Sequence, residues 1–149
     1  MKYYYLLMSQ KDMLENQVVE EVVRERANYY LTRNRDLDFW ILPSPKFIDD
    51  LNLNEKIKST NFYTQKFQKN SVPYYSAFVS NDKDFIKWIE LRIGYFEEIN
   101  NNIKNKNYVS DGIKGEFIYS LNINILEYSK NKIDPDILSK KYRTILQNI

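Results

Sequence analysis

Carboxylates are the first candidates for chemistry in this chain. Glu15, Glu20, Glu21 and Glu25 share one stretch of helical character, and Glu97-Glu98 close another. Grouped acids of this kind can hold a cation or exchange protons as an acid–base pair. Their surroundings read instead as solvated helix faces: Arg24 follows Glu21 by three residues, with Glu25 beside it, the spacing of exposed ion pairs. Two absences narrow the remaining chemistry. The 149 residues include no histidine and no cysteine. Without imidazole there is no nucleophile triad and no proton shuttle at neutral pH. Without thiolate there is no redox dithiol and no sulfur ligand for zinc or iron–sulfur clusters. The Glu-x-x-His pair of a di-iron helix bundle cannot be written either. The thirteen tyrosines read as core and rim residues. Asp111-Gly112 and Lys114-Gly115 read as turns without phosphate-cradling spacing. The balance favours a protein that binds over one that converts, with no catalytic residue, metal or cofactor assigned.

Two arginines fall where binding could occur. Winding a helix from Phe85 at about 100° per residue sets Arg92 within the stripe formed by Phe85, Trp88, Ile89, Phe96 and Ile99. Arg26 holds a similar place among the valines and tyrosines of an earlier helix. A guanidinium is seldom buried unless paired. Either Arg92 reaches the rim or an internal carboxylate, or this face is open and takes a partner with Arg92 as its anchor, in keeping with the prevalence of Arg and aromatics at interface hot spots. In Asp38-Phe39-Trp40-Ile41, alternation sends Asp38 and Trp40 to one face and Phe39 and Ile41 to the other. Asp38 then pairs internally with Arg92 or Arg26, or joins Phe39 in an acidic and aromatic surface.

The elements that would position these residues follow from periodicity. Tyr3 to Ser9 is a strand apolar on both faces. Glu15 to Leu31 reads as a helix, Asp38 to Leu42 as a strand stopped by Pro43 and Pro45, and 46–58 as one or two helical turns anchored by Phe47, Ile48 and Leu51. Asn61 to Val72 reads as a loop with room for a short hairpin. Tyr74 to Ser80 is a third strand. Asn81 carries N-cap chemistry with Asp84 as the capping-box acid, opening a helix that runs to about Ile99. A polar Asn/Lys stretch follows. Phe117 to Ile125 alternates as a half-buried strand, and Asp134-Pro135-Asp136 opens a last helix carrying Leu138, Tyr142, Ile145 and Ile149.

The organisation expected is a core over 1–100, a polar linker over 101–114, and a strand-and-helix extension over 115–149, with the core folding without the extension. The fold class is α+β, a small antiparallel sheet of three to four strands packed between helices. A net charge of +2 with interspersed signs excludes the basic stripe of a nucleic-acid binder. No apolar run is long enough to span a bilayer. The start enters a strand at once, without signal or transit character, so the chain is expected to work where it is translated. Heavy use of Asn, Lys, Ile and Tyr fits an AT-rich, organelle-like genome.

Taken in order, a set of segments resembles the hypothetical chloroplast reading frame fifty-four family. The set comprises Tyr3-Tyr4-Tyr5 with Ser9-Gln10-Lys11, Glu20 to Arg26 with Tyr30, and Asp38-Phe39-Trp40 with Pro45 and Phe47. It continues through Val79-Ser80-Asn81, Phe85 to Ile89, and Leu91-Arg92-Ile93 with Tyr95. The resemblance covers roughly residues 1 to 98. It implies a non-catalytic accessory protein of the oxidative cyclase that acts on magnesium-protoporphyrin IX monomethyl ester in chlorophyll biosynthesis, with the di-iron catalytic subunit as partner. Any contact with a membrane would come through that partner. It also implies a plastid location, or the cyanobacterial cytoplasm. Asp38, Phe39 and Arg92 fall within matching motifs and, with Trp40 and Arg26, form the expected partner-binding set. The second reading is a tetrapyrrole carrier with a pocket of tyrosines. Gly94 stands where the family pattern leads one to expect a charged residue, and the segment around 61–72 is longer than that pattern.

Overall fold

A computed structural model describes residues 2–34, 38–67, 73–100 and 109–118, with Asp134 and Asp136. The continuous apolar run becomes β1 (Lys2–Ser9), buried along almost its whole length. Ser9 ends it and caps α1 (Gln10–Glu15), its Oγ accepting the Asp12 N–H at 3.1 Å. Asn16 caps α2 (Gln17–Arg33) in the same way through Val18. At its other end Asn34 takes the left-handed conformation, at φ 49°, that asparagine tolerates.

β2 (Phe39–Leu42), the short helices α3 (Phe47–Asp50), α4 (Asn54–Lys58) and α5 (Asn61–Lys66), and β3 (Tyr75–Ser80) follow. The chain then forms α6 (Lys83–Ile93), β4 (Phe96–Glu98) and β5 (Gly112–Ile118). The strands make one sheet in the order β2-β3-β1-β5-β4. β1 is antiparallel to β3 and β5, β2 is antiparallel to β3, and β4 runs parallel to β5. The α+β class therefore holds, with five strands where three to four were expected.

Strand alternation builds two cores. Tyr3, Tyr5 and Leu7 face a layer that includes Phe47, Ile57 and Phe62 from the three short helices. Leu6 and Met8 face Val19 and Val22 of α2 and Phe85, Ile86 and Ile89 of α6. Gln10 is fully buried at the end of β1. Its amide nitrogen donates to the Pro43 and Tyr75 carbonyls at 2.8 and 3.3 Å, and its oxygen accepts the Asp134 N–H at 3.1 Å.

Several boundaries differ from the sequence reading. Asp82, not Asn81, caps α6, accepting the N–H groups of Asp84 and Phe85. The helix ends at Gly94, so Phe96 and Ile99, which fit its apolar stripe by spacing, belong to β4 and the turn after it. The Gly94 position leaves room for the Asp111 carboxylate, which would lie 2.1 Å from a β-carbon there. Asn61–Lys66 is a helix, not a loop or hairpin. The expected strand at 117–125 begins instead at Gly112, inside the stretch read as linker, and residues 119–125 lie outside the described residues. β5 crosses the division drawn at 114/115 and sits between β1 and β4. Of the segment expected to form the last helix only Asp134 and Asp136 lie among the described residues, where the Asp134 carboxylate accepts the Asp136 N–H at 3.0 Å.

Gly112 and Gly115 are strand residues, not turns. A β-carbon on Gly112 would lie 2.2 Å from the Leu7 carbonyl oxygen and 2.6 Å from the Phe96 ring. Gly112→Ala is expected to destabilise the fold by about 2 kcal/mol, an overpacking cost that backbone movement must absorb. Denaturant midpoints for the two proteins check this, and an unchanged midpoint would refute it.

Candidate functional site

α2 and α6 lie side by side on one face of the sheet and run antiparallel, because Arg92 near the end of α6 meets Glu25 and Glu21, while Phe85 near its start meets Arg26. Arg26 is the centre of this face. Its Nη2 lies 3.3 and 3.4 Å from the two Asp38 carboxylate oxygens, and its Nε donates to the Tyr30 hydroxyl at 3.1 Å. Tyr30 in turn donates a short hydrogen bond to Asp38. The guanidinium also packs over the Phe85, Tyr29 and Tyr30 rings, at 4.0, 4.5 and 4.9 Å. Only 14% of the Arg26 side chain and 25% of Asp38 are exposed. Burial works against the charge on Arg26, but its bonds to Tyr30 and Asp38 outweigh this and hold its pKa above the ordinary value. Burial and the bond to Asp38 raise the Tyr30 phenol, keeping it a neutral donor near pH 7.

The candidate residues divide into three places. Arg26, Asp38 and Phe39 come together. Phe39 is buried, stacked on Tyr30 at 6.0 Å and edge-on to Phe85 at 5.2 Å, so it supports the ion pair from within the core. Asp38 precedes β2 and turns toward α2, on the Phe39 side and not the Trp40 side that simple alternation assigned. Trp40 packs in the opposite core against Tyr3, at 6.1 Å, with the sheet between it and the arginines. Arg92 does not pair with Asp38. It lies at the rim, with 34% of its side chain exposed. It donates to Glu25 at 2.9 and 3.4 Å and lies 5.3 Å from the Trp88 ring. The hydrogen bond to Glu25 raises its pKa, outweighing the opposing effect of burial.

Beside Arg26 lies an open groove of about 440 Å³. It is lined by Phe85 and Trp88 from α6, Glu25, Arg26 and Tyr29 from α2, and Asp82 and Asp84 at the α6 N-terminus. Tyr30, Trp88 and Glu25 stand out in the sequence but not as members of the binding set, and Asp82 does not stand out there at all. The Arg26/Tyr30 spacing of four and the Phe85/Trp88 spacing of three were visible signals for two of them.

Glu20 and Glu21 stay on the exposed side of α2, as a solvated helix face requires. Glu20 pairs with Arg24 at 2.5 Å, and Glu21 approaches Arg92 at 3.8 Å. Glu97 departs from the solvated helix face expected of it. It is a buried β4 residue whose carboxylate accepts the Phe62 and Asn61 N–H groups at 2.5 and 3.3 Å, satisfying the start of α5. Among the described residues no three carboxylates are grouped to hold a metal ion. No helix among them is long and apolar enough to cross a membrane.

Comparison with known proteins places these features in a wider set. The family model described as "Ycf54 protein" matches residues 1–102. The chain is 44% identical over 94 residues to "Uncharacterized protein ycf54" of Porphyra purpurea, a match covering 62% of this chain and 76% of that one. It is 39% identical over 94 residues to the "Ycf54-like protein" of Synechocystis, covering 62% of each. Its fold matches the crystal structure of the Ycf54 protein from Thermosynechococcus elongatus with a TM-score of 0.60 at 25% identity, over 90% of this chain and all of the other. The Ycf54 structure from Synechocystis matches with a TM-score of 0.58 at 29% identity, over 85% of this chain and 96% of the other.

Proposed function

The chain belongs to the Ycf54 family, and from that premise we propose that it is a non-catalytic accessory factor of the aerobic magnesium-protoporphyrin IX monomethyl ester cyclase, which binds and stabilises the di-iron catalytic subunit. Relatives occur in red algae and cyanobacteria, which supports a plastid or cyanobacterial setting for that work. The observation that carries the reading is the α2–α6 face. A half-exposed arginine and tryptophan stand beside an aromatic groove, the residue types that dominate binding hot spots. The chain itself brings no imidazole or thiolate to an active site, so oxygen chemistry is assigned to the partner.

Arg92→Ala is the test. Its ion pair is at the surface, so the fold should melt at nearly the same temperature. Recovery of the di-iron subunit from pigment-synthesising membranes should fall at least about tenfold, as expected for an interface arginine. A variant that melts normally and recovers the subunit as well as the parent would remove this face from the interaction. The carrier reading makes a different forecast: the isolated chain would shift the absorbance of the magnesium porphyrin on titration, and Arg92→Ala would matter less than the pocket tyrosines.

A further inference from the structure

We propose that the α2–α6 groove receives a flat cationic side chain of its partner, an arginine carried on a basic segment. This rests on reading the α2–α6 face as the interaction surface and adds the chemistry of what enters it.

The charges decide the sign. Arg92 and Arg26 are already neutralised by the chain's own acids. Arg92 lies 2.9 Å from Glu25 and 3.8 Å from Glu21. Arg26 lies 3.3 Å from Asp38. With Glu25 committed to Arg92 and Asp38 to Arg26, the lining acids left over are Asp82, at 4.0 Å from Arg26, and Asp84, which makes no ion pair among the described residues. An anionic occupant would meet like charges, and an apolar one would strip water from the carboxylates without replacing it.

The rings decide the shape. Phe85 and Trp88 stack at 5.9 Å and 24°. This face already holds guanidinium groups against aromatic rings: Arg26 over Phe85 at 4.0 Å, Arg92 over Trp88 at 5.3 Å, and Arg33 over Tyr29 at 5.1 Å. A further guanidinium between the partly exposed Trp88 and Tyr29 rings and the acids would make the same kind of contact, stacking by its plane and donating by its edge. Lysine could supply the charge but not the stack.

The experiment is capture of the di-iron subunit from pigment-synthesising membranes by the full chain, at low and high salt. It compares Asp82→Asn/Asp84→Asn, Asp84→Lys and Arg92→Ala with the parent. Asparagine retains the N-cap acceptor of α6, so melting should change little. If the double variant does melt lower, Asp84→Asn alone, at an exposed position, becomes the deciding protein. The neutralised variant should capture about tenfold less at low salt, Asp84→Lys less still, and the gap should narrow at high salt. Normal capture by the neutralised variant, with loss on Arg92→Ala, would overturn the cationic occupant and leave the interface standing. Normal capture by all variants would overturn both. Stronger capture by Asp84→Lys would show an anionic occupant and overturn the proposal.

Discussion

A chain ending at Asn102 is expected to lose cooperative unfolding and to bind hydrophobic dye. The sequence reading gave the opposite expectation, that the first hundred residues fold alone, and the position of β5 reverses it. β5 lies between β1 and β4, so its removal leaves β1 unpaired on one edge and β4 with no sheet neighbour at all. It also takes Ile113 and Phe117 out of the aromatic core. Their burial contributes on the order of 2 kcal/mol each, before any loss of ladder hydrogen bonds. Against a total stability of about 5–15 kcal/mol for a domain, little margin remains. Thermal melting with a dye-binding assay checks this. A sharp melt without dye uptake would show that β5 is dispensable.

Arg26→Ala is expected to cost about 3 kcal/mol of folding stability, near the lower end for breaking a buried pair because a quarter of the Asp38 side chain stays wet. Three losses combine: the charge that offsets Asp38, the donor to Tyr30, and the packing of the guanidinium over three rings. Asp38→Ala should act in the same direction, because it leaves Arg26 with only the more distant Asp82. This separates the two arginines of the candidate set. Arg26 is expected to act through the fold, and Arg92, on the proposed function, through association. Denaturant unfolding of both variants gives the comparison. An Arg26→Ala protein as stable as the parent would make the cluster a surface ornament of the groove and not part of its frame.

How much of this was legible in the residues depended on whether a signal was local. β1 could be read because both its faces are buried, which turns alternation into an unbroken apolar run. The short β4 could not, because Phe96 and Ile99 continue the α6 stripe at helical spacing and only Gly94 marks the break. β5 was hidden by its glycines. They read as turns, whereas Gly112 lies against the Leu7 carbonyl and Gly115 against the Tyr5 ring. At the site, the need of Asp38 for a cation was legible and Arg26 was one of two candidates. The choice depended on where α2 crosses the start of β2. The Arg92–Glu25 pair joins residues 67 apart, a distance over which no periodicity speaks.

The sheet order also sets the timetable of folding. β1 occupies the middle of the sheet, yet both its neighbours come much later in the chain: Tyr5 pairs with Val79 on one side, and Lys2 with Ile118 on the other. During synthesis this strand emerges long before either neighbour exists. Its Tyr-Tyr-Tyr-Leu-Leu-Met run is apolar, uncharged and free of proline, the makeup of a segment prone to pair with other chains. Such distant pairing makes folding slow, and the waiting strand is a natural client for chaperones until residue 118 has cleared the ribosome. The yield of native protein in a cell should therefore be governed by protection of β1 as much as by the stability of the finished fold.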